Sequence, residues 1–166
     1  MDSFQKLKLD EMFFEADQLI AEKRFADAIN TLESILIEAP DYGQAYNHLG
    51  WIYETKYKDI NKAEEFYKKC VLYSPDYPAI YINLAVVLSS AGKYEELEAH
   101  LTRALQVTGV DKASMYNEFG IMYELQGKFN QAIESYKNAV RHSLSDANVE
   151  TYSKSIKRCK TKMDIL

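Results

Sequence analysis

Three stretches, YNHLGWIYE (46–54), YINLAVVLS (81–89) and YNEFGIMYE (116–124), share one template. Each opens on Tyr, places an apolar residue three positions on, follows it with a small residue, and has Tyr or Leu three further. The small residues are Gly50, Ala85 and Gly120, each 35 from the next, and Ala16 lies 34 before Gly50. A second series runs Ala28, Ala63, Leu97, Ala132, and a third runs Leu32, Tyr67, Leu101, Tyr136. A fourth, Pro40, Pro75, Gly109, Leu144, closes the units. Four series on one period of about 34 residues are the mark of a repeat architecture.

Inside each unit the apolar spacing is helical twice. Tyr46, Leu49, Gly50 and Tyr53 fall at i, i+3, i+4, i+7 on one face, and Ala63, Phe66, Tyr67, Cys70 and Val71 make a second stripe after a polar turn. The other units break at 23–24, 91–93 and 126–128, each break followed by an aromatic, Phe25, Tyr94 or Phe129, that can plug the gap between paired helices. Each unit therefore reads as a helical hairpin. Small residues are needed where helices 8–10 Å apart approach most closely. A glycine inside a helix costs about 1 kcal/mol against alanine, so Gly50 and Gly120 mark contacts tight enough to outweigh propensity. Leu97 breaks the small series and predicts a wider third hairpin. Gly50 to Ala63 is 13 residues where the other spacings are 12, which predicts a longer loop over 57–61 with Ile60 as its plug.

These residues resemble the tetratricopeptide repeat. Unit 2 carries Tyr46, Leu49, Gly50, Tyr53, Ala63, Tyr67 and Pro75; unit 4 carries Tyr116, Phe119, Gly120, Tyr123, Gly127, Phe129, Ala132, Tyr136 and Ala139. Unit 3 ends in Gly109 rather than Pro, and unit 1 has Glu15 where an apolar residue is expected. The expected fold is all-α, an α-solenoid of four hairpins over about 9–42, 43–77, 78–112 and 113–146 plus a capping helix over 147–164, in one domain. In that last helix Val149, Tyr152, Ile156, Cys159 and Met163 form one apolar stripe able to cover the end of a stack. From Ala147 onward five cations against two acids give +3, so the first 146 residues carry −8 of the net −5. The basic tail has two readings, a solubilising cap and a docking strip for an acidic partner.

Composition narrows the function classes. Of 166 residues 47% are hydrophobic and 27% charged, the balance of a folded domain, and net −5 is the wrong sign for a generic nucleic-acid binder. No apolar run reaches the roughly 18–20 residues that span a bilayer, and the N-terminal stretch is too acidic for a signal peptide. Cys70 and Cys159 are too few for a disulfide framework or a four-thiolate zinc site and read as small buried hydrophobes. A cytoplasmic location is the expectation. His48, His100 and His142 lie in different units without a metal-binding pair, and no glycine-rich phosphate loop occurs. Glu64/Glu65 and Glu95/Glu96/Glu98 read as solvated helix faces. Neither catalysis nor a cofactor is expected.

The resemblance implies protein binding on a concave surface lined by first helices. Carried over residue by residue, it points to Asn47, His48, Trp51 and Glu54 in unit 2, Ile82, Asn83, Val86 and Ser89 in unit 3, and Asn117, Glu118, Ile121 and Glu124 in unit 4, with Phe13 and Asp17 matching in unit 1. Trp51, Ile82, Val86 and Ile121 could receive apolar anchors, and the three Asn suit the main chain of an extended peptide. A second placement is open to the apolar four: packing between adjacent first helices or under the C-terminal helix. The clamp by which some relatives grip a terminal carboxylate is not expected, since Trp51, Glu118 and Ser114, or Phe13 and Asp17, stand where it needs Asn, Arg and Lys. The partner expected is a peptide or helix of another protein. Holding an export substrate and self-assembly into a homo-oligomer are the alternatives.

Overall fold

In the computed structural model, which describes residues 3–165, nine α-helices alternate with short turns and no strand occurs among the described residues. They are α1 (Ser3–Ala21), α2 (Phe25–Glu38), α3 (Gly43–Ile52), α4 (Ile60–Tyr73), α5 (Ala79–Ser90), α6 (Tyr94–Ala104), α7 (Lys112–Leu125), α8 (Phe129–His142) and α9 (Asp146–Ile165). The hairpins α1/α2, α3/α4, α5/α6 and α7/α8 fall where the 34-residue period puts them, with α9 following. The chain divides into two compact units between Ile80 and Tyr81.

In the first unit, Leu9, Ala16, Ala28, Leu32, Ile35, Ala45, Leu49 and Ile52 are wholly buried in one cluster, with Met12, Phe13, Phe25 and Trp51 packed at its margin. The small-residue slots have a specific occupant. A β-carbon built on Gly50 would lie 2.5 Å from Cδ1 and Cε1 of Tyr67, and one on Gly120 equally close to the same atoms of Tyr136. Both rings are fully buried. The glycine thus exists to admit a tyrosine of the second helix. Units 1 and 3 show the complementary solution, with Ala16 and Ala85 where the second helix offers the smaller Leu32 and Leu101.

The hairpin turns share a backbone device invisible in residue type. Lys23, Lys58, Gly92 and Gly127 all take left-handed φ, between 57° and 72°. In three of them the next amide reaches back five residues and closes the helix end: Arg24 to Leu19, Lys93 to Leu88 and Lys128 to Tyr123, at 2.8–3.0 Å. In the second hairpin the extra residue does not lengthen the loop as expected. It is absorbed as a π-helical turn over Tyr53–Tyr57 that widens the end of α3. Asp59 then caps α4 by accepting from the Lys62 amide at 3.0 Å.

In the second unit, Leu97 is fully buried, and α6 is tied to α5 by His100, whose Nε2 lies 2.8 Å from the Tyr81 carbonyl while the two rings stack at 5.2 Å. Burial lowers the pKa of His100, and its Nε2–H donates to that carbonyl. Cys70 and Cys159 are buried, as their apolar stripes imply, with thiols pushed by burial to about 12 and about 11. Glu64 departs from the expected solvated face. It is buried and paired with Lys68 at 2.8 Å, one helical turn on, because the long lysine can leave α4 for solvent while its carboxylate partner cannot.

α9 continues the small-residue series. Ser155, 35 residues after Gly120, is buried on the face that meets α8, beside Tyr152 and Cys159. α9 therefore has the small-residue slot of a first helix.

Candidate functional site

The first-helix face of the first unit holds a defined recess. His48 on α3 brings Nε2 to 2.7 Å from Oδ1 of Asp17 on α1, while its Nδ1 lies 3.2 Å from the Gln44 carbonyl. Phe13 presses edge-on against the imidazole at 4.6 Å. These contacts fix α1 against α3 and leave between them a cavity of about 270 Å³ lined by Asp17, Ile20, Asn47, His48 and Trp51. Asn47 and His48 come from the middle of α3, adjacent positions about 100° apart that both line the recess. Trp51 follows one turn on. Lys56, raised by the π-turn, places its ammonium 5.0 Å from the ring centres of both Trp51 and Phe25, a cation–π arrangement.

Glu54, one turn past Trp51, is half-buried and accepts a 2.6 Å hydrogen bond from the Tyr67 hydroxyl. Burial first, and this carboxylate second, drive the Tyr67 phenol far above its ordinary pKa, so the hydroxyl remains a donor.

The second unit presents its residues differently. On α5, Ile82 and Asn83 are half-buried and Val86 is exposed. On α7, Asn117 donates to Glu118 at 3.3 Å, and burial raises the Glu118 carboxyl. Ile121 packs against the cluster of Ala132, Ile133, Tyr136 and Cys159, which includes α9. Glu124 is the centre of a knot. Arg158 grips its two oxygens at 2.7 Å each, Lys162 adds a bond of 2.8 Å, and Tyr136 donates at 2.9 Å. The Arg158 guanidinium, foremost among these, holds the Glu124 carboxyl down to about 2.

Of the residues carried over from the repeat pattern, Asn47, His48 and Trp51 thus converge on one cavity, joined by Asp17. Ile121 and Glu124 meet α9, and Glu124 takes two of the tail's five cations. Ile20, Lys56, Arg158 and Lys162 were not singled out by the sequence reading. The first two belong to positions displaced by a turn, and the last two act across 34 and 38 residues on an acid that looked like a surface charge. Among the described residues no group of His, Cys, Asp and Glu is arranged to hold a metal ion, and no helix is long and apolar enough to cross a membrane.

Comparison with known proteins bears on the fold. Two family models, each described as tetratricopeptide repeat, match residues 43–77 and 76–145. A comparison with curated protein sequences finds no match. Among solved structures, PilF of Pseudomonas aeruginosa superposes with a TM-score of 0.81 at 18% identity, covering 98% of this chain and 72% of that one. MamA from Desulfovibrio magneticus RS-1, residue 41 to the end, gives 0.78 at 15% identity over 95% of this chain and 86% of its own. YrrB, described as a TPR protein with an unusual peptide-binding site, gives 0.76 at 15% identity over 98% and 84%.

Proposed function

The chain belongs to the tetratricopeptide-repeat family, a protein–protein interaction fold, and on that footing we propose that it works by binding a peptide or helix of another protein on the α1/α3 face. One observation carries the reading: the cavity of about 270 Å³ whose walls are Asp17, Ile20, Asn47, His48 and Trp51. It combines an apolar wall, an amide with donor and acceptor atoms, and a carboxylate, the mixture by which concave sites fix orientation as well as affinity. Trp51 supplies the largest rigid contact area, and residues of its type dominate binding energy at such surfaces. The peptide-binding site of YrrB is a property of that protein, and its likeness in fold makes the same use reasonable here. Ile82, Asn83, Val86, Asn117 and Glu118 are proposed as a separate recognition surface of the second unit, whereas Ile121 and Glu124 serve to seat α9.

Selection from a displayed random-dodecapeptide library on the full chain tests the reading. Enriched peptides should lose binding by tenfold or more on Trp51→Ala and Asn47→Ala, about the 1.4 kcal/mol that a tenfold change represents, and keep it on Glu134→Gln, a change at the exposed face of α8. Equal binding to all four proteins would refute the site.

A second reading, self-association, is favoured by one feature. Phe4, Leu7 and Phe14 lie exposed on α1 at 78%, 57% and 64%, an apolar stripe open to solvent. Light scattering across a hundredfold range of concentration should then show a mass above 19.2 kDa that Phe4→Ser/Phe14→Ser abolishes. An unchanging monomer mass would remove it.

A further inference from the structure

Hairpins two and four contain a construction that hairpins one and three lack. A glycine admits a buried tyrosine, and the tyrosine hydroxyl reaches a glutamate four residues after that glycine. Gly50, Tyr67 and Glu54 form one copy, with the hydroxyl bond at 2.6 Å, and Gly120, Tyr136 and Glu124 form the other, at 2.9 Å. At the matching places hairpin one has Ala16, Leu32 and Ile20, and hairpin three has Ala85, Leu101 and Ser89, with neither a tyrosine nor a carboxylate. The glutamate comes and goes with the tyrosine, so it belongs to the construction.

The fourth-hairpin copy displays what such a carboxylate grips. Held from below by the Tyr136 hydroxyl, Glu124 takes a bidentate guanidinium from Arg158 and an ammonium from Lys162, both arriving on a helix laid across it. Charge-assisted pairs of this geometry are among the stronger and more specific hydrogen bonds. The second-hairpin copy is built the same way, and its glutamate, in the π-turn that continues the helix carrying Trp51, accepts the Tyr67 hydroxyl. Two residues of the recess, whose wall includes Trp51 one turn before Glu54, favour a cation as well. Asp17 is 46% exposed at the recess, and the Trp51 indole already draws an ammonium, that of Lys56, to 5.0 Å. The first 146 residues carry −8, which favours approach of a basic segment.

We infer that the α1/α3 face takes an arginine of a basic partner segment, its guanidinium on Glu54, its stem along Trp51, and Asp17 drawing a second cation of the same segment. The inference rests on the peptide-binding reading above and names the chemistry of its ligand. Lys56 is the resident cation that the incoming one displaces from the indole.

The dodecapeptides selected on the full chain provide the probe. Those that depend on Trp51 should carry Arg or Lys. Replacing the arginine by citrulline, its neutral isostere, should weaken binding to the wild type about tenfold or more. The same replacement should change little on Glu54→Gln, which keeps an acceptor for the Tyr67 hydroxyl. Because the citrulline exchange is made in the peptide, it reads the contact without disturbing the protein's fold. Trp51-dependent peptides without a basic residue, or citrulline forms that bind as well as their parents, would overturn the inference and leave the peptide-binding reading intact. Absence of any Trp51-dependent peptide would overturn both.

Discussion

Adding one methyl group at Gly120 tests the packing logic of the repeats, because two effects of known sign oppose each other there. Gly→Ala inside a helix favours the folded state by about 1 kcal/mol. Here the new β-carbon would stand 2.5 Å from Cδ1 and Cε1 of Tyr136, inside van der Waals contact. The ring cannot swing away cheaply. It is fully buried, and its hydroxyl is held by Glu124 at 2.9 Å. Overpacking of a tight core costs about 1–3 kcal/mol, and a ring fixed at both ends belongs at the upper end. Gly120→Ala should therefore destabilise the fourth hairpin by about 2 kcal/mol net. In a Tyr136→Leu background, which imports the leucine of hairpins one and three, the same change should stabilise by about 1 kcal/mol. The coupling is then about 3 kcal/mol, with a reversal of sign. Native-state hydrogen exchange of α7 and α8 amides is the assay, since it reads this hairpin rather than an average over the chain. If Gly120→Ala stabilises equally in both backgrounds, the glycine is not there for the ring and the argument fails.

Other consequences follow from the turns, the α9 knot and the thiols. Lys23→Gly and Lys58→Gly replace residues held at φ 62° and 57° by the residue that hairpins three and four use, and each should raise stability by up to about 1 kcal/mol in urea denaturation. Glu124 has a folded-state pKa of about 2, below its ordinary value of 4.5, so its contribution is complete above the ordinary value and is lost as pH falls from 4.5 through 2. That contribution is at most about 3 kcal/mol, and Glu124→Gln should flatten the acid limb of α9 protection measured by hydrogen exchange. Cys70 and Cys159, with thiols raised to about 12 and about 11, should be inert to a disulfide reagent at pH 8 until denaturant is added, and Cys159 should react first as α9 detaches.

Much of the architecture is legible in residue type because steric slots leave a periodic trace. Ala16, Gly50, Ala85 and Gly120 locate four first helices, and the Leu/Tyr alternation at 32, 67, 101 and 136 locates their partners. What the sequence hides is of two kinds. Backbone devices leave no trace when a permissive residue is not required by them: Lys23 and Lys58 adopt the left-handed conformation of Gly92 and Gly127, and a wide turn rather than a loop absorbs the extra residue before Ala63. Long-range polar pairing is equally silent. Glu124 looks like a groove residue and Arg158 like a tail charge until the fold brings them to 2.7 Å. Ser155 could have been found, since it lies one period past Gly120, but a serine inside a helix does not announce a small-residue slot. The recess was half legible. Asn47, His48 and Trp51 follow from the repeat pattern, while the His48–Asp17 bond that shapes it depends on the pairing of α1 with α3.

Trp51 is the single tryptophan of the chain and stands in the wall of the recess, so its emission reports directly on that space. Titrating the full chain with a selected dodecapeptide, containing no tryptophan of its own, while following fluorescence and calorimetric heat together is the most direct test. The recognition account predicts that indole emission shifts with the same midpoint as the heat, and that Asp17→Asn weakens both in parallel. Saturating heat with an unchanged emission spectrum would place the ligand elsewhere and contradict it.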